Sequence, residues 1–189
     1  RHERRIAGGG AAAVFVVVYI SFMGYAGDRV TAWLHPELDP GDTGYQILQS
    51  LYAIGSGGLF GLGYGKSRQK YLYLPFQYND YIFAVICEEL GLVGAMAIVA
   101  LFAVTILRGY WIALNARDRF STVLAAGLVT LIAVQTILNL CVVTNLLPST
   151  GIALPFFSYG GTALAVNLGE MGIVLGVSRG RNRRKIQEA

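Results

Sequence analysis

Four long apolar runs constrain this chain more than any other feature. They cover residues 6–27, 81–107, 123–147 and 152–178. Each is long enough to cross a bilayer, because a spanning helix needs about 20 mostly apolar residues. Lipid admits only helices and closed barrels, and these runs are too long and too continuously apolar for barrel strands. With 54% hydrophobic and 14% charged residues, the sequence predicts an all-α integral membrane protein and excludes soluble classes.

The distribution of basic residues predicts the orientation of these spans. Cytoplasmic connections carry an excess of Lys and Arg, and here all but four of the 15 basic residues lie before the first run, in the loop 108–122 or in the tail 179–189. We therefore expect one membrane domain, residues 1–189, with four transmembrane helices, both termini of this segment in the cytoplasm and an outer loop at 28–80. A basic tail after a last span follows from the orientation rule, so no nucleic-acid partner is predicted.

The start of the chain shows no small-residue cleavage pattern, so the first helix is expected to be retained. No Met opens the sequence, and we expect it to be a piece of something longer. Cys87 and Cys141 fall inside predicted spans, and neither their spacing nor that of the histidines predicts a disulfide or a zinc site.

The outer loop is too long for an idle connection. Apolar positions recur within it at spacings of three and four, namely Tyr45, Leu48, Leu51, Tyr52 and Gly55. Gln46, Gln49 and Ser50 fall on other faces. This pattern predicts an amphipathic helix at the outer interface or packed on the bundle.

A glycine-rich segment follows, with the sequence SGGLFGLGYGKS. It nearly matches a phosphate-binding P-loop, but Phe60 stands where that motif needs Gly and no nucleotide-binding sheet surrounds it. An ATPase is therefore excluded. Two interpretations remain open: the glycines let backbone amides approach a phosphate, or they allow close helix packing.

Three basic residues come next on the outer face, where the orientation rule predicts few cations: Lys66, Arg68 and Lys70, with Gln69 between them. They could anchor the chain among lipid headgroups. Such a cluster also suits an anionic ligand such as a pyrophosphate.

Asp80 stands at the threshold of the second apolar run. By position alone it is predicted to be a helix N-cap. Two turns deeper, Glu88 and Glu89 should face the protein interior, where they find partners or remain protonated, and Glu170 in the last run is expected to be a hydrogen-bonded structural carboxylate. Polar residues of the third run, among them Asn139, are expected to join helices by hydrogen bonds.

The connection between the third and fourth runs contains several helix breakers: Pro148, Gly151, Pro155, Gly160 and Gly161. They cannot all lie in one straight helix. We expect a broken helix at the outer surface of the membrane, packed against protein or a water-filled cavity.

Three phrases of the chain carry a family resemblance: GYQILQSLYAIGSGGLFGLGYGKSRQKYLYLP, DYIFAVICEELGLVG and LLPSTGIALPFFSYGGTAL. In this order and spacing they resemble the SEDS family (shape, elongation, division and sporulation), which includes FtsW, RodA and SpoVE. The resemblance extends from residue 29 to about residue 172. The SRQK phrase is more similar to the FtsW and SpoVE branch than to RodA.

The resemblance implies a glycosyltransferase of the bacterial cytoplasmic membrane that polymerises lipid II into peptidoglycan glycan strands during cell division or sporulation. It implies a class B penicillin-binding protein and other divisome or elongation proteins as partners. Family members have about ten spans, so this chain would correspond to spans seven to ten, and we expect the isolated piece to be inactive. The family's catalytic aspartate matches Asp80.

The resemblance also suggests residues for substrate binding: Arg29, Gln46, Gln49, Lys66, Arg68, Gln69, Lys70 and Ser158. A divalent cation, Mg²⁺ or Mn²⁺, could accompany the pyrophosphate. The chain departs from the family pattern at Phe76, where Glu is common, and at Ala26, where Arg is often found. Two other functions stay open, namely a lipid II flippase or transporter and a non-catalytic scaffold for a wall synthase.

Overall fold

A computed structural model describes residues 27–38, 43–67 and 80–187, with side chains up to residue 180. Nearly all of the first predicted span, residues 6–27, lies outside the described residues. The same holds for the segment 68–79, which includes Phe76.

Within the described part, all regular structure is helical. Four long helices are α1 (Thr43–Gly57), α2 (Ile82–Leu114), α3 (Arg119–Val143) and α4 (Gly161–Gln187). Residues 27–34 are also helical, and a single 3₁₀ turn follows at Pro36–Leu38. Three helices are long and apolar enough to cross a membrane, namely α2, α3 and Gly161–Gly180 of α4. The prediction of an all-helical fold with membrane-spanning helices is confirmed.

The end of α2 and the start of α3, which flank the connection between these helices, differ from the predicted bounds. Helix α2 continues past residue 107 to Leu114, because Arg108 stays helical with its guanidinium carbon 5.3 Å from the centre of the Trp111 ring. Such a contact lets a cation remain at the edge of an apolar helix. Helix α3 begins at Arg119 rather than residue 123, because Asp118 accepts a hydrogen bond from the Ser121 amide at 3.0 Å.

The predicted break after the third run is confirmed, but the predicted start of the last span at residue 152 is wrong. Residues 144–160 are non-helical and α4 begins only at Gly161. Three residues of this stretch have positive φ angles, 58° at Asn145, 67° at Gly151 and 67° at Phe156. A positive φ interrupts the helical backbone, and the apolar stretch 152–160 contains no helix before α4 begins.

Helix α1 exists as predicted, but its buried face differs from the predicted apolar face. The buried positions are small residues and one isoleucine: Gly44, Ile47, Ser50, Ala53 and Gly57. Tyr52, which was assigned to the apolar face, is 59% exposed. Small side chains allow the backbones of α1 and α2 to approach closely, and this outweighs the burial of larger residues.

A break in α2 at Gly91 receives the glycine-rich segment. Gly91 has φ 67° and ψ −169°, so the helical hydrogen-bond pattern is interrupted there. The segment restores four of the bonds: Leu62 N–H to Glu88 O (2.9 Å), Gly63 N–H to Glu89 O (3.0 Å), Leu92 N–H to Gly58 O (2.9 Å) and Val93 N–H to Leu59 O (3.2 Å). The glycines therefore serve close backbone packing, which was one of the two interpretations of their sequence.

Steric room explains why these positions are glycine. A Cβ atom at Gly57 would lie 2.0 Å from the carbonyl oxygen of Cys87, and one at Gly61 would lie 2.2 Å from that of Glu89. Real Cβ atoms do not approach backbone oxygens so closely, so neither position accepts alanine without a shift of the backbone. Gly55, two residues before Gly57 on the same helix, has no atom within 4 Å of such a Cβ.

We predict that Gly57→Ala destabilises the protein and that Gly55→Ala does not. Overpacking of a tight contact typically costs about 1–3 kcal/mol, whereas alanine in an open helical position gains up to about 1 kcal/mol over glycine. Thermal unfolding in detergent should show a lower midpoint for Gly57→Ala only. Equal midpoints for the two variants would contradict the close contact between α1 and α2.

Candidate functional site

Asp80 lies two residues before the start of α2, at the end of this helix opposite its connection to α3. The predicted role as a side-chain N-cap is wrong: the N-cap residue is Tyr81, and no side chain caps the helix. The Asp80 carboxylate instead lies against the broken segment, where its Oδ2 atom would be 3.6 Å from a Cβ at Gly151. The carboxylate thus lies beside a residue distant in sequence and does not cap its own helix.

Arg29 comes from the helical residues 27–34 and lies near this carboxylate. Its Nη1 atom donates a hydrogen bond to the carbonyl oxygen of Ser149. On the same helix, the indole nitrogen of Trp33 donates to the carbonyl oxygen of Asn145 at 3.0 Å. These two bonds fix the helix on the segment that follows α3, and so they bring the guanidinium into the field of Asp80.

Two opposing effects act on the Asp80 carboxyl. Burial raises its pKa above the ordinary value, and the positive charge of Arg29 partly reverses that rise. Burial, followed by the charge of Asp80, also raises the pKa of the neighbouring Tyr81 phenol to about 12, against a smaller lowering by Arg29. The site therefore offers a carboxyl of enhanced proton affinity beside a phenol that stays protonated at neutral pH.

Asn139 of α3 joins Asp80 to the broken segment. Its Nδ2 atom donates to the backbone oxygen of Asp80 at 2.7 Å and to that of Ile152 at 2.8 Å. The prediction that this residue would join helices by hydrogen bonds is correct in kind, but its partners are two backbone carbonyls outside any helix.

A cavity of about 490 Å³ lies beside the broken segment, between α3 and the start of α4. Ile152 and Phe156 line it together with the side chains of Gln135, Ser158 and Asn167. The Ser158 hydroxyl oxygen accepts a hydrogen bond from the Leu154 amide at 2.7 Å. Ser158, one of the residues predicted to contact substrate, thus lies at a cavity whose wall begins one residue from Gly151.

The other predicted substrate residues are not brought together in the described part of the chain. Lys66 is exposed and lies at the end of the glycine-rich segment, and Gln46 and Gln49 are half-buried on α1. No side-chain hydrogen bond joins either glutamine to another described residue. Arg68, Gln69 and Lys70 lie outside the described residues.

The buried glutamates behave largely as predicted. Glu88 is 1% exposed and accepts a hydrogen bond from the buried hydroxyl of Ser67. Glu89 and Glu170 are also buried, but each has one carboxylate oxygen without a hydrogen-bond partner among the described residues. The expectation of a hydrogen-bonded Glu170 is therefore not met at its Oε2 atom.

The same region offers few ligands for a metal ion among the described residues. The described residues contain no group of three His, Cys, Asp or Glu side chains close enough to hold a metal ion. Among the described residues, the charged group that acts on the Asp80 carboxyl is the cation of Arg29. This donor set does not fit a divalent cation held by the described residues alone.

The sequence did not predict that Gly151 lies beside the Asp80 carboxylate. It also did not predict the contacts of Arg29 and Asn139 around that carboxylate. Arg29 and Asp80 are separated by a long loop, and no periodic pattern connects them. The available signal for Asn139 was an amide within an apolar run, one turn before α3 ends at Val143. For Gly151 it was a glycine between two prolines.

Comparisons with known proteins cover most of the chain. The family of FtsW, RodA and SpoVE, described as "Cell cycle protein", matches residues 4–183. Stage V sporulation protein E of Bacillus subtilis is 51% identical over 151 residues, which is 80% of this chain and 41% of that protein. A probable peptidoglycan glycosyltransferase FtsW of Trichlorobacter lovleyi is 44% identical over 176 residues, 93% of this chain and 46% of the relative.

Solved structures show the same likeness. A chain from work on the structural coordination of polymerization and crosslinking by a peptidoglycan synthase complex aligns with a TM-score of 0.69 at 29% identity, over 93% of this chain and 48% of that one. A variant of the rod shape determining protein RodA from Thermus thermophilus aligns with a TM-score of 0.55 at 32% identity, over 70% and 40% of the two chains. The chain thus spans less than half the length of each of these four proteins.

We predict that replacing Arg29 raises the pKa of Asp80 further. In Arg29→Gln the burial of the carboxyl remains while the opposing positive charge is lost, so the acid should bind its proton up to a higher pH. Infrared titration can follow the protonated carboxyl, with Asp80→Asn identifying its band. Arg29→Lys, which keeps the charge, is the matched control and should titrate closer to the unchanged protein. A downward shift in Arg29→Gln would contradict this electrostatic description.

Proposed function

The chain belongs to the FtsW, RodA and SpoVE family of cell cycle proteins, and from the surroundings of Asp80 we propose that the whole protein is a peptidoglycan glycosyltransferase. Its substrate would be lipid II, which it polymerises into glycan strands. The observation that carries the proposal is the half-buried carboxyl of Asp80, which lies near Arg29 and Gly151 at the start of a helix long and apolar enough to cross a membrane.

In the proposed reaction, the Asp80 carboxylate accepts the proton from a sugar hydroxyl of one lipid-linked disaccharide. The hydroxyl oxygen forms a bond to the anomeric carbon of a second lipid II molecule. The bond between that carbon and the undecaprenyl pyrophosphate breaks, and its electron pair leaves with the pyrophosphate. General-base assistance of this kind is worth about 10²–10⁴-fold in rate.

The electrostatics of Asp80 suit such a base. Burial makes the carboxylate a stronger proton acceptor than an exposed one, while the positive charge of Arg29 favours its ionised form. A base at the outer end of a span also lies where lipid II would present its sugars while its tail stays in the bilayer. Ser158, which lines the neighbouring cavity, is another candidate substrate contact among the described residues.

The departing pyrophosphate needs positive charge. We propose that Lys66, Arg68 and Lys70, with Gln69, lie on its path, and that Mg²⁺ or Mn²⁺ arrives bound to the phosphate oxygens instead of in a protein cage. Mg²⁺ commonly binds through substrate phosphates and few protein ligands. Gln46 and Gln49 remain proposed contacts to the sugars.

Membership of the same family also suggests a location and partners for the proposed enzyme. We propose a location in the bacterial cytoplasmic membrane with four spans in this segment, both of its termini in the cytoplasm and the loop 28–80 outside. A class B penicillin-binding protein is the proposed partner, since a peptidoglycan synthase complex contains a chain of similar fold and sequence. Other divisome or elongation proteins would join it.

A second candidate function is a lipid II flippase or transporter. The observation that favours it is the broken helix between α3 and α4 together with the buried carboxylate of Glu170, since broken helices and intramembrane acids recur in transporters. A scaffold without catalysis is the third candidate. The complete protein reconstituted in vesicles with lipid II separates the three functions. An enzyme links lipid II into glycan strands, a flippase moves it across the bilayer, and a scaffold does neither.

We predict that Asp80→Asn in the complete protein lowers lipid II polymerisation by about 10²–10⁴-fold, because the amide cannot accept the proton. Binding of lipid II should be retained, since the amide keeps the shape of the acid. The control is Asp28→Asn, an exposed acid on the same outer side, which should polymerise normally. Unchanged polymerisation in Asp80→Asn would refute the catalytic assignment and favour the scaffold.

We also predict that EDTA lowers polymerisation by the complete protein and that Mg²⁺ or Mn²⁺ restores it. The cation would offset the charge of the pyrophosphate as it leaves. Glycan products separated on a gel provide the measurement. If EDTA leaves product formation unchanged while the enzyme is active, the basic residues alone neutralise the leaving group.

A further inference from the structure

Asn139 of α3 is almost fully buried, with 1% of its surface exposed. Its Oδ1 atom is buried and has no hydrogen-bond partner among the described residues. An unsatisfied buried acceptor destabilises a fold. An amide side chain at this position therefore stabilises the site through its NH₂ group and not through its oxygen.

That NH₂ group uses both of its hydrogens across the site. One bond reaches the backbone oxygen of Asp80 at 2.7 Å and the other that of Ile152 at 2.8 Å. The first carbonyl belongs to the candidate base itself. The second belongs to the residue after Gly151, whose Cβ position lies 3.6 Å from the Asp80 carboxylate.

Both carbonyls lie outside regular helices, so no helical hydrogen bond fixes their separation. A single nitrogen with two hydrogens can bind both at once, whereas a hydroxyl offers one donor and an aliphatic side chain none. The amide thereby sets the distance between the start of α2 and the segment that covers the carboxylate. Arg29 supports the same segment at Ser149, three residues before Ile152.

We propose that Asn139 is a positioning residue for glycan polymerisation, which keeps the Asp80 carboxylate at the place where it can accept the proton of the acceptor hydroxyl. This inference rests on the proposed function. Asn139 need not touch substrate, so its loss should reduce turnover more than substrate binding. A displacement of about 1 Å at a reacting group can cost about 10²-fold in rate.

The variant Asn139→Leu in the complete protein, reconstituted in lipid vesicles, provides the test. It keeps the side-chain size but removes both donors, and kcat should fall by about 10²-fold while KM for lipid II stays nearly constant. Asn139→Asp keeps the shape and offers at most one donor, as the neutral acid, so its kcat should lie between those of Leu and the unchanged protein.

Thr136→Val is the matched control. Thr136 lies one turn earlier on α3 and is 3% exposed, but its hydroxyl donates only to Ile132 O of its own helix, at 2.8 Å. Its kcat should remain near that of the unchanged protein. A rise in KM with constant kcat in Asn139→Leu, or an equal loss of kcat in Thr136→Val, would overturn the positioning role.

Amide hydrogen exchange gives a second readout that does not depend on activity. In Asn139→Leu the amides around Asp80 and Ile152 should exchange faster, and those around the Gly91 break should not change. If the unchanged protein made no glycan, the proposed function would fail, but the exchange result would still decide whether Asn139 holds the two segments together. Unchanged exchange at both segments would overturn the inference.

Discussion

The fold depends on how the backbone of α2 is satisfied where the helix breaks. In a bilayer, each unpaired backbone group costs several kcal/mol, and the break at Gly91 would leave such groups within an apolar helix. The glycine-rich segment supplies the missing partners through four hydrogen bonds, including those to the carbonyls of Glu88 and Glu89. This contact fixes the first nine residues of α2 on the segment after α1. Asp80 lies two residues before this part of the helix. The same contact therefore also helps to fix the position of Asp80.

The segments that surround the Asp80 carboxylate are fixed by long-range polar contacts instead of glycine packing. Arg29 binds the carbonyl of Ser149, and Asn139 binds those of Asp80 and Ile152. Three chain segments distant in sequence therefore meet at one half-buried carboxyl. Burial raises the proton affinity of that carboxyl and the guanidinium limits the rise. This balance suits a group that must be ionised before the reaction and accept a proton during it.

The sequence predicted the class of fold well and the site only in part. Long apolar runs leave few alternatives to membrane helices, so the all-α fold and the break near Pro148 and Gly151 could be predicted. Asp80 could be singled out from family phrases, but its surroundings could not, because the Arg29 and Asn139 contacts span about 50 and 59 positions of the chain with no periodic signal. The N-cap assignment failed since position before a helix does not reveal where a side chain turns. The buried face of α1 was misassigned because hydrophobicity scales reward large residues, whereas this contact needs small ones.

A structure of the complete protein bound to lipid II would test the central claim most directly, namely that Asp80 is the base of a site assembled from these three segments. With Asp80→Asn used to hold the substrate unreacted, the side chain at position 80 should lie within about 2.6–3.2 Å of the acceptor hydroxyl, or one water away. The Ile152 carbonyl should remain bound to Asn139 in that complex. An acceptor hydroxyl bound to a different carboxylate, with position 80 turned away from both sugars, would contradict the account.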